Sequence, residues 1–518
     1  MRYNIFFASL LLLAAPSFAE VRFAQLDHGI NHQYTGDWEF FVGGGVSSFD
    51  CNGDGFAELF TAGGSSPSRL LANVTASRGG KIAFTDITPI ELALTRVSGA
   101  YALDIDSDGK LDLVILRVGN NKMFRGLGNC RFSEFPQSLG FASADHWTTA
   151  FSATWEAGAE LPTLAFGNYV DRQNPQGPFE ACADNFLYRP ISDHYTNPLR
   201  LTPGFCSLSV LFSDWGRRGR MDLRISNDRH YYVKGGSEQL WAMESVPRLY
   251  DTGDGWQDYS IWGMGIASRD ITGDGLPEIF LTSMGDQKLQ LLETAAGGPR
   301  YHNASFDRGI TAHRPFTGGD GRPSTGWHAE FADFNNDGRD DIFIAKGNVE
   351  QMPSSAMRDP NNLLMQNADG RFVEFAEIAG VASPARGRGA ATVDLNLDGL
   401  PDLVVVNRRA PLEIYQNTTR NAGNWLLVSL HQSGINSRAI GAWIEVQSGI
   451  RRWYREVTVG GGHAGGSASD HHFGLGSTDK LRLRVIWPDG KPSHWLELKP
   501  DQRIRLKRTT GDRQLVVY

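Results

Sequence analysis

Five nine-residue segments carry oxygen-bearing side chains at the same four positions. They are Asp50, Asn52, Asp54 and Glu58; Asp104, Asp106, Asp108 and Asp112; Asp270, Thr272, Asp274 and Glu278; Asp333, Asn335, Asp337 and Asp341; and Asp394, Asn396, Asp398 and Asp402. The sixth position is glycine each time: Gly55, Gly109, Gly275, Gly338 and Gly399. Calcium takes about six to eight oxygens at roughly 2.3–2.6 Å, from side chains and backbone carbonyls. Alternate side chains of a tight loop converge on one point, position 7 offers a carbonyl, and glycine permits the sharp turn. The chemistry expected is calcium coordination, at about five sites. An EF-hand starts in the same way but needs Glu at position 12 and flanking helices. Position 12 here is Thr61, Ile115, Leu281, Ile344 and Val405, inside apolar, β-branched runs that read as buried strands.

Each loop needs strands to hold it. A glycine-rich strand precedes it (Phe40–Val46, Gly263–Ile266), a buried strand follows, and a third strand, a turn and a fourth complete the unit. Two degenerate copies fill the gaps. In one, the ligand positions have become Ala153, Trp155, Ala157 and Leu161; in the other, Asp214 and Asp222 survive but Arg218 stands at position 5. Both are expected to be metal-free, with the Arg218 guanidinium replacing the ion by pairing with Asp214 and Asp222. First positions then fall at 50, 104, 153, 214, 270, 333 and 394. Seven four-stranded units of near-constant length predict a seven-bladed β-propeller, with small residues on the innermost strands.

The loops with their strands resemble FG-GAP/VCBS repeats, the calcium-loop blades of integrin α-subunit propellers. Beyond about Asn421 the chain resembles the ASPIC/UnbV domain, through Asn424–Val428, Ser437–Ala442, Glu456-Val457, Gly460–Gly462, His472–Gly476 and Val485–Gly490. Together they resemble the cartilage acidic protein 1 / UnbV family. The expected fold is all-β: a signal at 1–19, a seven-bladed propeller at 20–420, and a small β-sandwich-like domain at 421–518. Gly460-Gly-Gly-His-Ala-Gly-Gly466 lacks the Lys-Ser/Thr ending of a phosphate loop.

Met1-Arg2, an apolar run from Ile5, and Ser17-Phe18-Ala19 read as a secretory signal cleaved after Ala19. No later apolar run is long enough to span a membrane. Export makes the four cysteines an even set in an oxidising compartment. In a four-stranded blade the calcium loop and the tip of the outer hairpin share one face. Cys51 in loop 1 is therefore expected to pair with Cys130 near the blade 2 hairpin, leaving Cys182 with Cys206. The net charge of −8 offers no basic face for nucleic acid.

The opposite face carries variable loops together with Trp38, Arg96, His146, Trp147, Trp262, Trp327, His328, Arg386 and Arg388. Aromatic and cationic groups at a channel mouth suit a sugar, an anion or a peptide. Two functions follow. One is an exported binding or adhesion-type module with structural calcium and an extracellular or periplasmic ligand, a glycan or a protein. The alternative is a secreted carbohydrate-active enzyme of lyase or dehydratase type, with His146, His328 and Arg388 as candidate base and electrophile.

Overall fold

The computed structural model describes residues 20–228, 236–310, 321–508 and 515–517. The signal at 1–19 lies outside them, as do parts of the variable loops expected at 227–239 and 311–326. Short antiparallel strands dominate, many of them apolar runs that end at glycine, asparagine or aspartate turns.

Along the chain the strands group in fours. The first strands of successive groups are Val46–Phe49, Val97–Leu103, His146–Thr154, Ser207–Ser213, Gly263–Arg269, Gly326–Ala332 and Arg386–Val393. Each pairs with the strand after its acidic or degenerate loop, as Val97–Leu103 does with Asp112–Gly119 and Arg386–Val393 does with Asp402–Arg408. We number these groups blades 1 to 7 in chain order. Neighbouring first strands touch all the way round, and the first strand of blade 7 meets that of blade 1, so the array closes. The fold is a β-propeller.

Closure is made by the N-terminus. Phe23–Gln25 pairs with Glu413–Asn417 and becomes the outer strand of blade 7, so that sheet is assembled from both ends of the repeat region. Blades 2 and 3 are joined into one sheet, because His146 and Trp147 pair with Gly119 and Val118. The inner strands of blades 2 to 7 all shift register by a residue or more near their start. Such bulges increase local twist, which suits strands turning into a narrow axis.

The remaining chain forms two four-stranded sheets. In one, Asn424–Gln432 lies between His471–Gly476 and Gln502–Arg508, the latter pairing parallel; in the other, Trp443–Ser448 lies between Arg451–Glu456 and Leu481–Ile486. Their facing residues Leu426, Val428, Ile444, Val446, Phe473, Leu483 and Ile504 are buried in one apolar cluster, which also takes in Leu103, Ile105 and Phe151 of blades 2 and 3. Alternation of apolar and polar residues, as in Leu481-Arg-Leu-Arg-Val485, produces this one-sided burial.

Both expected disulfides form. Cys51 pairs with Cys130 and Cys182 with Cys206, each at a Cα–Cα distance of 4.8 Å. The first links loop 1 to the blade 2 hairpin; the second ties the long excursion, which lies inside blade 3 between Thr163–Asn168 and Asn185–Tyr188 and not between blades 3 and 4 as expected, to the entry of blade 4.

Candidate functional site on the acidic-loop face

The five acidic loops share one hydrogen-bond plan. The first-position carboxylate accepts from the backbone N–H of the position 6 glycine: Gly55, Gly109, Gly275, Gly338 and Gly399 donate to Asp50, Asp104, Asp270, Asp333 and Asp394 over 2.7–2.9 Å. These glycines have φ between +89° and +95°, a region that side-chain-bearing residues avoid, so the turn itself selects glycine. The ninth-position carboxylate accepts from the N–H of position 2, as Glu58 does from Cys51, Asp112 from Ile105 and Asp402 from Leu395. Each loop is thus folded around its own carboxylates.

Convergence is strongest in two loops. Asp104, Asp106 and Asp108 offer oxygens within 4.8 Å of one another, as do Asp270, Asp274 and Glu278. In loop 2 the ninth residue, Asp112, stands outside the trio and spends both oxygens on the backbone N–H groups of Ile105 and Gly126. In loops 1, 6 and 7 position 3 is asparagine, and its amide nitrogen donates to the fifth-position carboxylate: Asn52 to Asp54, Asn335 to Asp337, Asn396 to Asp398. A third cluster, Cys51 with Glu58 and Cys130, has its two sulfurs in a disulfide and offers no thiolate.

Burial and mutual repulsion raise several of these acids. Glu58, Asp112 and Glu278 are each pushed up to about 8, first by loss of hydration and then by their loop neighbours. Asp394 rises to about 7 and Asp270 to about 6 for the same reasons, and Asp333, Asp341 and Asp402 go well above the usual carboxylate range. Buried like charges demand a proton or a cation. Protein cations answer this only in part: Arg125 reaches Asp106 at 2.6 Å and Asp108 at 3.1 Å, Lys110 reaches Asp108, and Arg339 reaches Asp337. An all-oxygen donor set of this charge fits a hard divalent ion such as calcium.

The degenerate loops show the contrast. At loop 3, Ala153 and Leu161 are buried among apolar side chains and Trp155 packs against them. At loop 4 the Arg218 guanidinium pairs with Asp222 at 3.1 Å and donates to the Tyr250 hydroxyl. Asp214 is satisfied differently from the expectation of a shared guanidinium: the backbone N–H groups of Arg218 and Gly219 donate to it. Arg218 shares Asp222 with Arg220 and with the Tyr250 hydroxyl, which accepts from both guanidinium groups and donates to the carboxylate.

The C-terminal sheets sit on this face and touch the loops of blades 1, 2, 4, 5, 6 and 7. Ser437 donates to Asp104, and the backbone N–H of Asn436 donates to Ser107. Gly423 and Gly476 donate to the carbonyls of Asn335 and Asn336 in loop 6. Arg455 pairs with Asp340 at 2.9 Å, both buried. The Trp453 indole donates to the Gly338 carbonyl, and His472 bonds the Gly399 carbonyl at 3.1 Å. In loop 5, a side chain added at Gly275 would meet Arg217 and Tyr454. Arg505 lies 3.9 Å from Asp50, while Glu456 accepts from Asp214 and Ser213, and Arg217 pairs with Glu445.

The glycine-rich segment 459–468 enters the propeller axis. Val459 bridges Ala153 of blade 3, Gly460 and Gly461 meet Leu211 and Val210 of blade 4, and Gly462 exchanges bonds with Ile266 of blade 5. Ala464 accepts from Ala100 of blade 2, and Gly466 from Ser48 of blade 1. A Cβ at Gly45 or Gly99 would lie 1.8 Å from the Ala464 carbonyl oxygen, and one at Gly465 would lie 2.2 Å from that of Val46. The glycines on the inner strands are therefore required by the inserted segment as well as by blade crowding. Sequence reasoning missed this insertion; the signal was the matched glycine density of Gly43–Gly45 and Gly460–Gly466.

The candidate catalytic residues are held in packing. Arg388 is fully buried, donates to the carbonyls of Phe41, Gly387, Asn348 and Val349, and stacks on Trp327 at 4.1 Å. His328 is buried, accepts the His463 N–H at Nδ1, and has Nε2 3.6 Å from Glu330. His146 is half-buried against Phe186 at 4.8 Å, and burial lowers its pKa. No hydrogen bond joins the three among the described residues. Trp38, Trp147 and Trp327 do come together, lining a pocket of about 420 Å³ with Met264, Met284 and Met352.

Comparison with known proteins agrees with this organisation. The ASPIC and UnbV family model matches residues 432–513. The FG-GAP-like repeat model matches 50–115, 270–344 and 333–405, passing over the stretch that holds the degenerate loops. Cartilage acidic protein 1 of Mus musculus is 24% identical over 479 residues, covering 86% of this chain and 70% of the relative; that of Homo sapiens is 23% identical, covering 86% and 69%. Among solved structures, an Agrocybe aegerita lectin recognising non-reducing terminal N-acetylglucosamine is 14% identical over 73% of this chain and 94% of its own, with a TM-score of 0.39. AofleA from Arthrobotrys oligospora is 9% identical over 65% and 86%, with a TM-score of 0.36. No helix among the described residues is long and apolar enough to cross a membrane. The chain thus carries FG-GAP-like repeat matches followed by an ASPIC and UnbV match, and is similar along most of its length to cartilage acidic protein 1.

Proposed function

We propose that this is an exported calcium-binding propeller that serves as a binding module, with calcium in the five acidic loops. The observation that carries the reading is the set of carboxylates of loops 2 and 5 that converge within 4.8 Å, with Asp104, Asp270 and Glu278 buried. Calcium supplies the charge that these loops lack. It would be held by Asp50, Asn52, Asp54 and Glu58 in loop 1 and by the matching residues of loops 2, 5, 6 and 7. The two disulfides suit an oxidising compartment, so residues 1–19 act as a cleaved signal and the protein works outside the cytoplasm. Residues 20–420 form the propeller and 421–518 its partner domain.

Because the C-terminal domain rests on the acidic loops, calcium also has a mechanical role. Neutralised loops keep the Asp104–Ser437 and Asp340–Arg455 contacts in register. The ligand is a glycan or protein outside the cell. Calorimetric titration of chelator-stripped protein with calcium tests the reading: uptake at several sites supports it, and the absence of uptake refutes it.

A further inference from the structure

We propose that the cleft where the C-terminal domain overhangs blades 1 and 2 binds a small ligand bearing an oxyanion: a carboxylate, sulfate or phosphate group. The cleft measures about 470 Å³ and is walled by both parts of the chain, within the range of small-molecule sites. Five cationic side chains line it: Lys110 and Arg131 from blade 2, and Arg438, Arg503 and Arg505 from the C-terminal domain. Three carboxylates face them, Asp50, Asp394 and Asp470. Arg503 is paired with Asp470, whereas Arg505 approaches Asp50 only to 3.9 Å.

His431, also in the lining, is held down to about 4, by burial first and then by Arg438, Arg505 and Lys507. Planar guanidinium groups grip carboxylate, sulfate and phosphate through paired hydrogen bonds. Beside them Leu127, Phe132 and Leu427 give an apolar wall, so the ligand carries its anion on a partly apolar frame, as an acidic sugar does. Two of the facing acids, Asp50 and Asp394, belong to acidic loops 1 and 7. If calcium occupies those loops as proposed above, the cleft becomes more positive still.

The test uses the full calcium-loaded chain at low ionic strength, with calorimetric titration of a sulfated disaccharide, a uronic-acid disaccharide, inorganic sulfate, inorganic phosphate and neutral cellobiose. The acidic probes are expected to bind and cellobiose to bind about tenfold more weakly. Disaccharides binding more tightly than the inorganic ions assign the ligand to an acidic sugar, and equal binding assigns it to the free anion; both support the site. Arg131→Ala, on an exposed hairpin strand, and Arg505→Ala should each weaken binding several-fold, and Arg131→Ala alone decides if the second variant fails to fold. Binding of cellobiose equal to that of the acidic disaccharides, indifference to Arg131→Ala, or no binding of any probe overturns the proposal. Repeating the titration in EGTA separates it from the calcium reading: anion binding that persists unchanged there keeps the cleft and removes its link to loops 1 and 7.

Discussion

The backbone N–H of His463 donates to Nδ1 of His328 over 3.0 Å, joining the C-terminal domain to blade 6 at the axis of the propeller. The same His463 accepts from the N–H of Gly43 at Nε2, so its own Nδ1 carries the proton given to the Met264 carbonyl. The ring is fully buried and is neutral in this arrangement. A second proton, on Nε2, would face another N–H. The inserted segment is therefore sewn to blades 1, 5 and 6 through one histidine.

Acid should loosen this seam. Burial lowers the His463 pKa to about 3, against 6.5 for the free side chain. A base depressed in the folded state takes its proton more readily when unfolded, so stability is lost as pH falls from about 6.5 towards 3. At pH 5 the loss is about 2 kcal/mol. His463→Gln lacks this titration, and its melting temperature should fall less steeply between pH 6.5 and 5 than the wild type's. Parallel slopes would count against the seam.

Gly99 tests the insertion sterically. Its added Cβ would fall 1.8 Å from the Ala464 carbonyl oxygen, and its φ is not in the left-handed region. Gly99→Ala is expected to cost at least about 2 kcal/mol by overpacking. Amide hydrogen exchange should rise specifically across residues 459–468. A neutral result would mean that the axis has slack.

Arg455 and Asp340 form a buried pair across the interface. Removing one partner strands a buried charge, so Arg455→Met should cost about 3–5 kcal/mol. Adding Asp340→Leu should recover much of that loss, and a double variant no better than the single one would deny the coupling. Thermal melting of the two variants reads the difference.

The Cys51–Cys130 bridge anchors loop 1 to the neighbouring hairpin, reinforced by the Cys130 N–H donating to the Cys51 carbonyl. Replacing both cysteines with alanine should lower stability by about 2–4 kcal/mol. Calcium affinity at loop 1 should fall with it, since the bridge fixes the backbone at Cys51, whose N–H donates to Glu58. Unchanged melting would show that the neighbouring strands alone fix the loop.

Much of this was legible in the chain because local rules and global closure agree. The turn at Gly109 demands glycine, the carboxylates of Asp104 and Asp112 demand backbone donors, and Leu113–Leu116 demands a buried strand; all three repeat in phase. Blade assignment and both disulfides follow from that phase. What stayed hidden lies where segments distant in sequence meet. Nothing local to Gly460–Gly466 says that it fills a channel, because its partners, Val46, Ala100 and Val210, lie hundreds of residues away. Arg388 and His328 looked available for chemistry because a sequence does not show that their polar atoms are consumed by carbonyls and by His463. Arg218 looked like a bridge between two acids; it pairs with Asp222 and donates to Tyr250, 32 residues on, while Asp214 is met by backbone N–H groups.

Calcium in the acidic loops beneath the C-terminal domain is what couples the two parts of the chain in the proposed function. The most direct measurement is calorimetric calcium titration of chelator-stripped protein, read together with hydrogen exchange across 459–468. The account predicts saturable uptake at about five loops, a higher melting temperature and slower exchange in the inserted segment. No calcium uptake, with melting and exchange the same in EGTA and in calcium, would contradict it.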